Sequence, residues 1–278
     1  MDSYSVPSLR HTLDPLRIVA TIWRDREVIA QLVRREVQSS YRESVLGTVW
    51  LFAQPLLSLA VYAFVFIVIF TPRIPQGGTR VDFVLEMFAG MIVFWGFSEV
   101  IARSPMLILS RRGYVKNIVF PLEVLPVSVL GSALVGLLAG VLILLTAVGI
   151  YHHTISPTIP LFLLVLVPLV LLTMGTSWLL ASVGVFLRDI QQGVRAVLQL
   201  LFFATPIVWN VGSLPEEFRP WALLNPLASI VEGTRQTLVQ GLPPDWGPLL
   251  LTTAFSLVVF VAGYTWFVRT RHGFADVM

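Results

Sequence analysis

Cysteine is missing from these 278 residues, and lysine occurs once, at Lys116. Without a thiol there is no disulfide, no thiolate nucleophile and no thiolate metal site. With Asn117 following its one lysine, the chain cannot form the G-x-x-x-x-G-K-[ST] phosphate loop. If it uses ATP, another chain holds the nucleotide. The histidines His11, His152, His153 and His272 have no H-x-x-x-H or H-E-x-x-H partner, and His152-His153 reads as an exposed loop pair sooner than a metal ligand pair. Charge is scarce too, at 13% of residues against about 25% in a soluble domain. The net charge of +3 is small, and nothing points to nucleic acid.

Apolar residues make up 56% of the chain, and none of those from Val45 to Phe70 is charged. That exceeds the roughly 20 residues a helix needs to cross a bilayer. Long, unalternating runs fit helices rather than barrel strands. The expected fold is an all-α integral membrane protein with six transmembrane helices, near 45–70, 83–108, 119–150, 159–187, 194–210 and 246–268. Six crossings put both termini on one side. Fourteen of the arginines and the lysine fall on that side and four on the other, with Arg103 inside a span; the excess marks the cytoplasm. Residues 1–44 lack the apolar core and cleavage site of a signal peptide, so an uncleaved cytoplasmic N-terminus is expected, with a cytoplasmic tail at 269–278.

Within 1–44, Asp14-Pro15 suits a helix start. From Arg24 on, Val28, Ile29, Leu32, Val33 and Val37 share a face opposite Arg24, Glu27, Gln31, Arg34 and Gln38. This predicts an amphipathic helix lying in the membrane interface, against the alternative of packing on a soluble domain. The proline-rich region 205–246 is half apolar. Asn225-Pro226 opens a helix there whose apolar face is Leu227, Ile230, Val231, Thr234 and Leu238. Short re-entrant helices are expected across 211–245, since Glu232 and Arg235 would sit in the middle of a seventh span; Trp209, Trp221 and Trp246 suit the headgroup level. Glu86, Glu99, Arg103 and Glu123 are too sparse for the ion relay of a secondary transporter, although Glu99 and Arg103 can pair. Gly136-x-x-x-Gly140 is either a packing face or incidental.

Arg35-Glu36-Val37, Tyr41-Arg42-Glu43-Ser44-Val45-Leu46-Gly47, Trp50 and Pro55 resemble the opening of ABC-2-type permeases of polysaccharide export, the O-antigen, capsule and teichoic-acid carriers. The resemblance continues through Tyr114-Val115-Lys116-Asn117-Ile118-Val119-Phe120-Pro121, Glu123, Leu125-Pro126, Phe186-Leu187-Arg188-Asp189-Ile190, Thr205-Pro206-Ile207-Val208, Leu214-Pro215, Asn225-Pro226-Leu227 and Gly233-Thr234-Arg235. Leu122 departs from the family pattern, where many relatives carry a basic residue. The resemblance implies a permease subunit rather than an enzyme, with no cofactor on this chain. It implies a homodimer in the bacterial inner membrane, driven by two ATPase subunits that bind ATP and magnesium, and a polysaccharide on undecaprenyl pyrophosphate as substrate. A small hydrophobic compound as cargo, or a membrane-embedded glycan- or lipid-modifying enzyme, are the competing readings.

Within that frame, 111–119 is expected to couple to the ATPase through Arg111, Arg112, Tyr114, Lys116 and Asn117, unless these cations are only positive-inside charge. Arg188 and Asp189 form a second contact or a local ion pair. Arg34, Arg35, Tyr41 and Arg42, with the bend at Leu46-Gly47, form a substrate entrance by attraction of arginine for phosphate, or an anchor on anionic lipid. Rings contact the apolar faces of sugars, so the channel-lining candidates are Trp50, Phe52, Tyr62, Phe66, Phe88, Trp95, Phe97, Trp178, Phe202 and Phe203. For each ring singly, lipid contact or helix packing competes with that role.

Overall fold

The computed structural model describes residues 14–41, 46–69, 79–111, 113, 120–154, 156–209, 211–213, 215–218 and 224–274, and the regular elements among them are helical. Two helices precede the bundle, α1 (Pro15–Arg24) and α2 (Arg26–Tyr41). Then come α3 (Gly47–Ile69), α4 (Arg80–Met106), α5 (Val124–His152) and α6 (Ile159–Phe186). They are followed by α7 (Ile190–Ala204), by α8 (Pro226–Arg235), which widens into a π turn at Gln236–Gln240, and by α9 (Trp246–Gly273). Helices α3, α4, α5, α6 and α9 are each long and apolar enough to cross a membrane.

The boundaries follow local chemistry. At α1, Asp14 accepts the Leu16 amide at 3.0 Å and Pro15 sits in the first turn. The amphipathic run read from Arg24 breaks at Asp25, so it belongs to α2 alone. Gly47 adopts φ +52 at the turn into α3, a left-handed conformation that glycine adopts without strain. A reciprocal capping box between Thr79 and Asp82 starts α4 three residues earlier than the hydropathy suggested. Helix α7 has 15 residues, covering about 22 Å of the roughly 30 Å hydrocarbon core. It stops early because Pro206 forces Thr205 into extended backbone, and the chain reaches the far side through 205–209.

Ile18, near the start of the described chain, and Phe274, at its end, are buried in one cluster with Trp178 and Phe267. Both ends therefore lie at one end of the bundle, here the terminal face. At this face Arg271 forks onto both oxygens of Glu123 at 3.1 and 3.2 Å, and the Trp178 indole donates to the Glu123 carbonyl at 3.0 Å. Helices α6 and α9 run in the same direction and nearly touch. A methyl on Gly263 would lie 2.6 Å from the Gly175 carbonyl carbon, and one on Gly175 would lie 2.6 Å from Phe260 Cα. Such approach of backbones is what small residues permit in membrane helices. The Gly136-x-x-x-Gly140 pair is not that seam: Gly140 meets the Ile92 side chain, and Gly136 has nothing within 4 Å.

At the far face, Leu227, Ile230, Val231, Thr234 and Leu238 bury α8 in the core, and Asn225 caps it through the Leu227 amide at 3.0 Å. Arg235 is buried with them, 2% exposed. It donates to the Ile207 carbonyl at 2.6 Å and to the Glu86 carbonyl at 3.1 Å. Burial lowers its pKa, and the charges of Glu232 and Glu86 raise it. Asn225 also donates to the Thr205 hydroxyl at 2.9 Å, so Thr205, Ile207, Asn225 and Arg235 form one joint. His152 pairs with Asp82 at 3.1 Å rather than standing as a bare loop residue.

Candidate functional site

Helix α3 carries no buried residue, and its turns leave Leu56, Leu57, Val61 and Phe64 more than half exposed. It leans on α5 and α4, and the space beside it is a groove in two adjoining parts. The smaller, about 170 Å³, lies between α3, α4 and α5 and is lined by Trp50, Gln54, Ser58, Trp95, Glu99 and Gly136, among others. The larger, about 720 Å³ and open along one flank, adds Ser40, Phe94, Ser98, Arg195, Gln199, Phe202 and Phe203. Gln54, Trp95 and Glu99 belong to both.

Two kinds of side chain meet in the groove. Its rings are set edge to face: Phe94 on Phe202 at 5.3 Å and Phe202 on Phe203 at 5.3 Å. Its polar groups, Gln54, Ser98, Glu99, Arg195 and Gln199, project from helices whose other faces are apolar. Polar and charged groups at membrane depth are costly toward lipid and normally face a wet path or another protein surface. The arrangement can pass a solute that is both hydroxyl-rich and able to stack on rings.

Trp50, Trp95, Phe202 and Phe203 are brought together in the groove, along with Phe94, which the sequence reading left out. Phe88, Phe97 and Trp178 line neither part of the groove; each is packed among helices. Phe66 tilts against Phe83 at 5.5 Å, Tyr62 packs on the core, and exposed Phe52 lies in neither part of the groove.

A second constellation sits where α2 packs on α5 near the end of α4. Ile29, Leu32, Val33 and Val37 turn toward the bundle, and the Val33 side chain fills the space over Gly131 of α5. Glu36 lies on the same stripe and is 7% exposed. One of its carboxylate oxygens accepts from Arg103, the other from Arg111, and Arg103 also pairs with Glu99 at 3.4 Å. Two acids and two bases thus join α2, α4 and the turn that opens the segment 111–119. The missed signal was local: Ile29, Leu32, Val33 and Glu36 follow helical spacing, and a carboxylate there interrupts an apolar stripe.

Arg111 pairs with Glu36 of α2. Arg112, Tyr114, Lys116, Asn117, Arg42 and the Tyr41 side chain lie outside the described residues. Arg34 and Arg35 are exposed on the outer side of α2, and Leu46 is exposed beside the bend at Gly47. Arg188 and Asp189 are both exposed, and among the described residues no ion pair joins them.

A family model described as ABC-2 type transporter matches residues 27–239. The chain belongs to the ABC-2 type transporter family. Its relatives include an O-antigen export system permease protein, RfbA, of Myxococcus xanthus, 29% identical over 94% of this chain and 99% of that protein. A protein of the same description from Klebsiella pneumoniae is 24% identical over 91% of this chain and 95% of its own length. The polysialic acid transport protein KpsM of Escherichia coli is 24% identical over 87% and 93%. These relatives are permeases and transport proteins, not enzymes, and the match to this ABC-2 chain runs nearly end to end. The matched region takes in α3 to α8 and the whole groove.

Proposed function

We propose that this chain is the permease subunit of an exporter that moves a lipid-linked polysaccharide across the bacterial inner membrane. It works as two copies joined to two copies of a separate ATPase, which binds ATP and magnesium. The observation that carries the reading is the groove, where rings and hydrogen-bonding side chains face one open flank of an otherwise apolar bundle. A glycan needs both, because its ring faces stack on aromatics while its hydroxyls exchange water for polar partners. The names of the relatives favour a polymer over a small hydrophobic cargo.

In this arrangement the second copy closes the open flank and covers part of α3. The arginine-rich terminal face lies in the cytoplasm, and the far face with α8 lies outward. Arg34 and Arg35 stand at the depth of the carrier's pyrophosphate, where guanidinium groups bind phosphate oxygens in bidentate fashion. Residues 111–119 dock on the ATPase.

Deletion of the gene tests the reading. Finished lipid-linked glycan should accumulate inside the cell and surface glycan should fall, both restored by the intact gene. Complementation with W95A/F202A should restore ATPase association but little surface glycan. Normal surface glycan with no internal accumulation in the deletion strain would overturn the proposal, and is the result expected of a small-molecule exporter.

A further inference from the structure

We infer that Glu36 is the positioning residue that ties substrate engagement on α2 to the ATPase-docking segment. This rests on the export reading above.

The geometry is specific. Glu36 is the carboxylate that closes the buried junction of α2 with the bundle, and its two oxygens go to two elements, Arg103 on α4 and Arg111 at the start of 111–119. On the same helix, two positions and one position earlier, Arg34 and Arg35 face outward. A displacement of Arg111 therefore reaches Arg34 and Arg35 through one carboxylate and less than one helical turn. Val33 over Gly131 is an apolar contact of α2 with the bundle, and such a contact can slide. The ionic junction is directional, and loss of the carboxylate takes from Arg103 and Arg111 the acid they share, with Glu99 still beside Arg103. Glu99 also borders both parts of the groove, so the same four charges touch the docking segment, the entrance helix and the path.

A purely structural clasp predicts that weakening Glu36 lowers the amount of assembled transporter, with each surviving complex working normally. A coupling residue predicts a different outcome. Assembly persists, ATP is still hydrolysed, and the yield of exported glycan per ATP falls.

The test uses the full permease–ATPase complex in proteoliposomes with its lipid-linked glycan, comparing wild type, E36Q, and the charge exchange E36R/R111E. The readouts are ATPase copies bound per permease, ATP turnover, and glycan exported per ATP. Expected for E36Q is unchanged ATPase stoichiometry with export per ATP reduced about tenfold, the scale of a coupling energy within one charge network. E36R alone should be worse, and E36R/R111E, which restores two acids and two bases, should recover most of the ratio. Export per ATP equal to wild type in E36Q would overturn the inference, as would a loss of export that only tracks lost ATPase binding. If instead the wild-type complex exports no glycan, the export reading itself fails, and that result is separate from any difference among the variants.

Discussion

Replacing Gly263 with alanine puts one methyl group where the α6 and α9 backbones nearly meet. The new carbon would lie 2.6 Å from the Gly175 carbonyl carbon and 2.9 Å from its Cα. Optimal carbon–carbon contact is about 3.5–4.0 Å, so the helices must part by about 1 Å at the crossing. The obstacle is backbone on both sides, and no flexible side-chain end can swing away. Overpacking typically costs about 1–3 kcal/mol, and a gap of about 1 Å also forfeits up to half the dispersion energy of neighbouring contacts. Those neighbours include Trp178 against Phe260 and Tyr264 at 5.2 and 5.0 Å, and Ser182 with Thr270 at 2.6 Å. A loss of about 2–4 kcal/mol is expected for G263A. The control is G149A, since Gly149 meets nothing within 4 Å, and it should be neutral. G140A should fall between, because the atoms nearest Gly140 belong to the side chain of Ile92. Unfolding midpoints of purified protein, from a denaturing-detergent titration followed by tryptophan fluorescence, rank the three. If G263A unfolds at the same midpoint as G149A, the α6–α9 seam is not as close as described.

Arg235→Ala should destabilise the far face by about 2–5 kcal/mol, because it removes a buried side chain and the donor to the Ile207 carbonyl; hydrogen exchange across 226–240 should rise, with Arg235→Lys recovering under half of the protection. The pair V33C/G131C should oxidise to a disulfide, since a Cβ at 131 lies 3.5 Å from that of Val33, within the usual 3.5–4.5 Å. In a chain without native cysteine a thiol count reads the outcome directly, and two persistently free thiols after oxidation would place α2 elsewhere. Glu123→Gln weakens the fork from Arg271; proteolysis near 270–274 should speed up several-fold, while cleavage elsewhere stays at the wild-type rate.

The apolar runs located the long helices because hydropathy is a local property, and a run such as Val124–His152 announces itself whatever it packs on. The errors were at ends, where single residues decide. Thr79 with Asp82 lengthened α4, and Pro206 shortened α7. Ring roles were less legible. Trp50 and Trp178 look alike in sequence, yet Trp50 is exposed on the groove and Trp178 is sealed between Glu123 and Phe260. Composition says that a ring is buried or stacked somewhere, and only the helix rotation set by neighbours says against what.

Charges within the apolar pattern were legible as oddities and, for Glu99 and Arg103 one helical turn apart, as a pair; the long-range partners were not. Arg235 and the Glu86 carbonyl it donates to are 149 residues apart, Arg271 and Glu123 148, and Glu36 and Arg111 75. Each pair joins elements whose proximity follows from the whole topology, so no local window could match them. An unpaired charge in hydrocarbon is expensive, and each of these carboxylates or guanidiniums is a demand for a partner that only one arrangement of the helices meets. Apolar packing alone would leave helix rotation and register loosely set, because lipid competes equally well for an apolar face. The charged joints fix that register at both ends of the bundle. Along the flank, where Arg195 and Gln199 line open space instead, the same demand passes outside the single chain, to the proposed second copy and to the hydrated polymer between them.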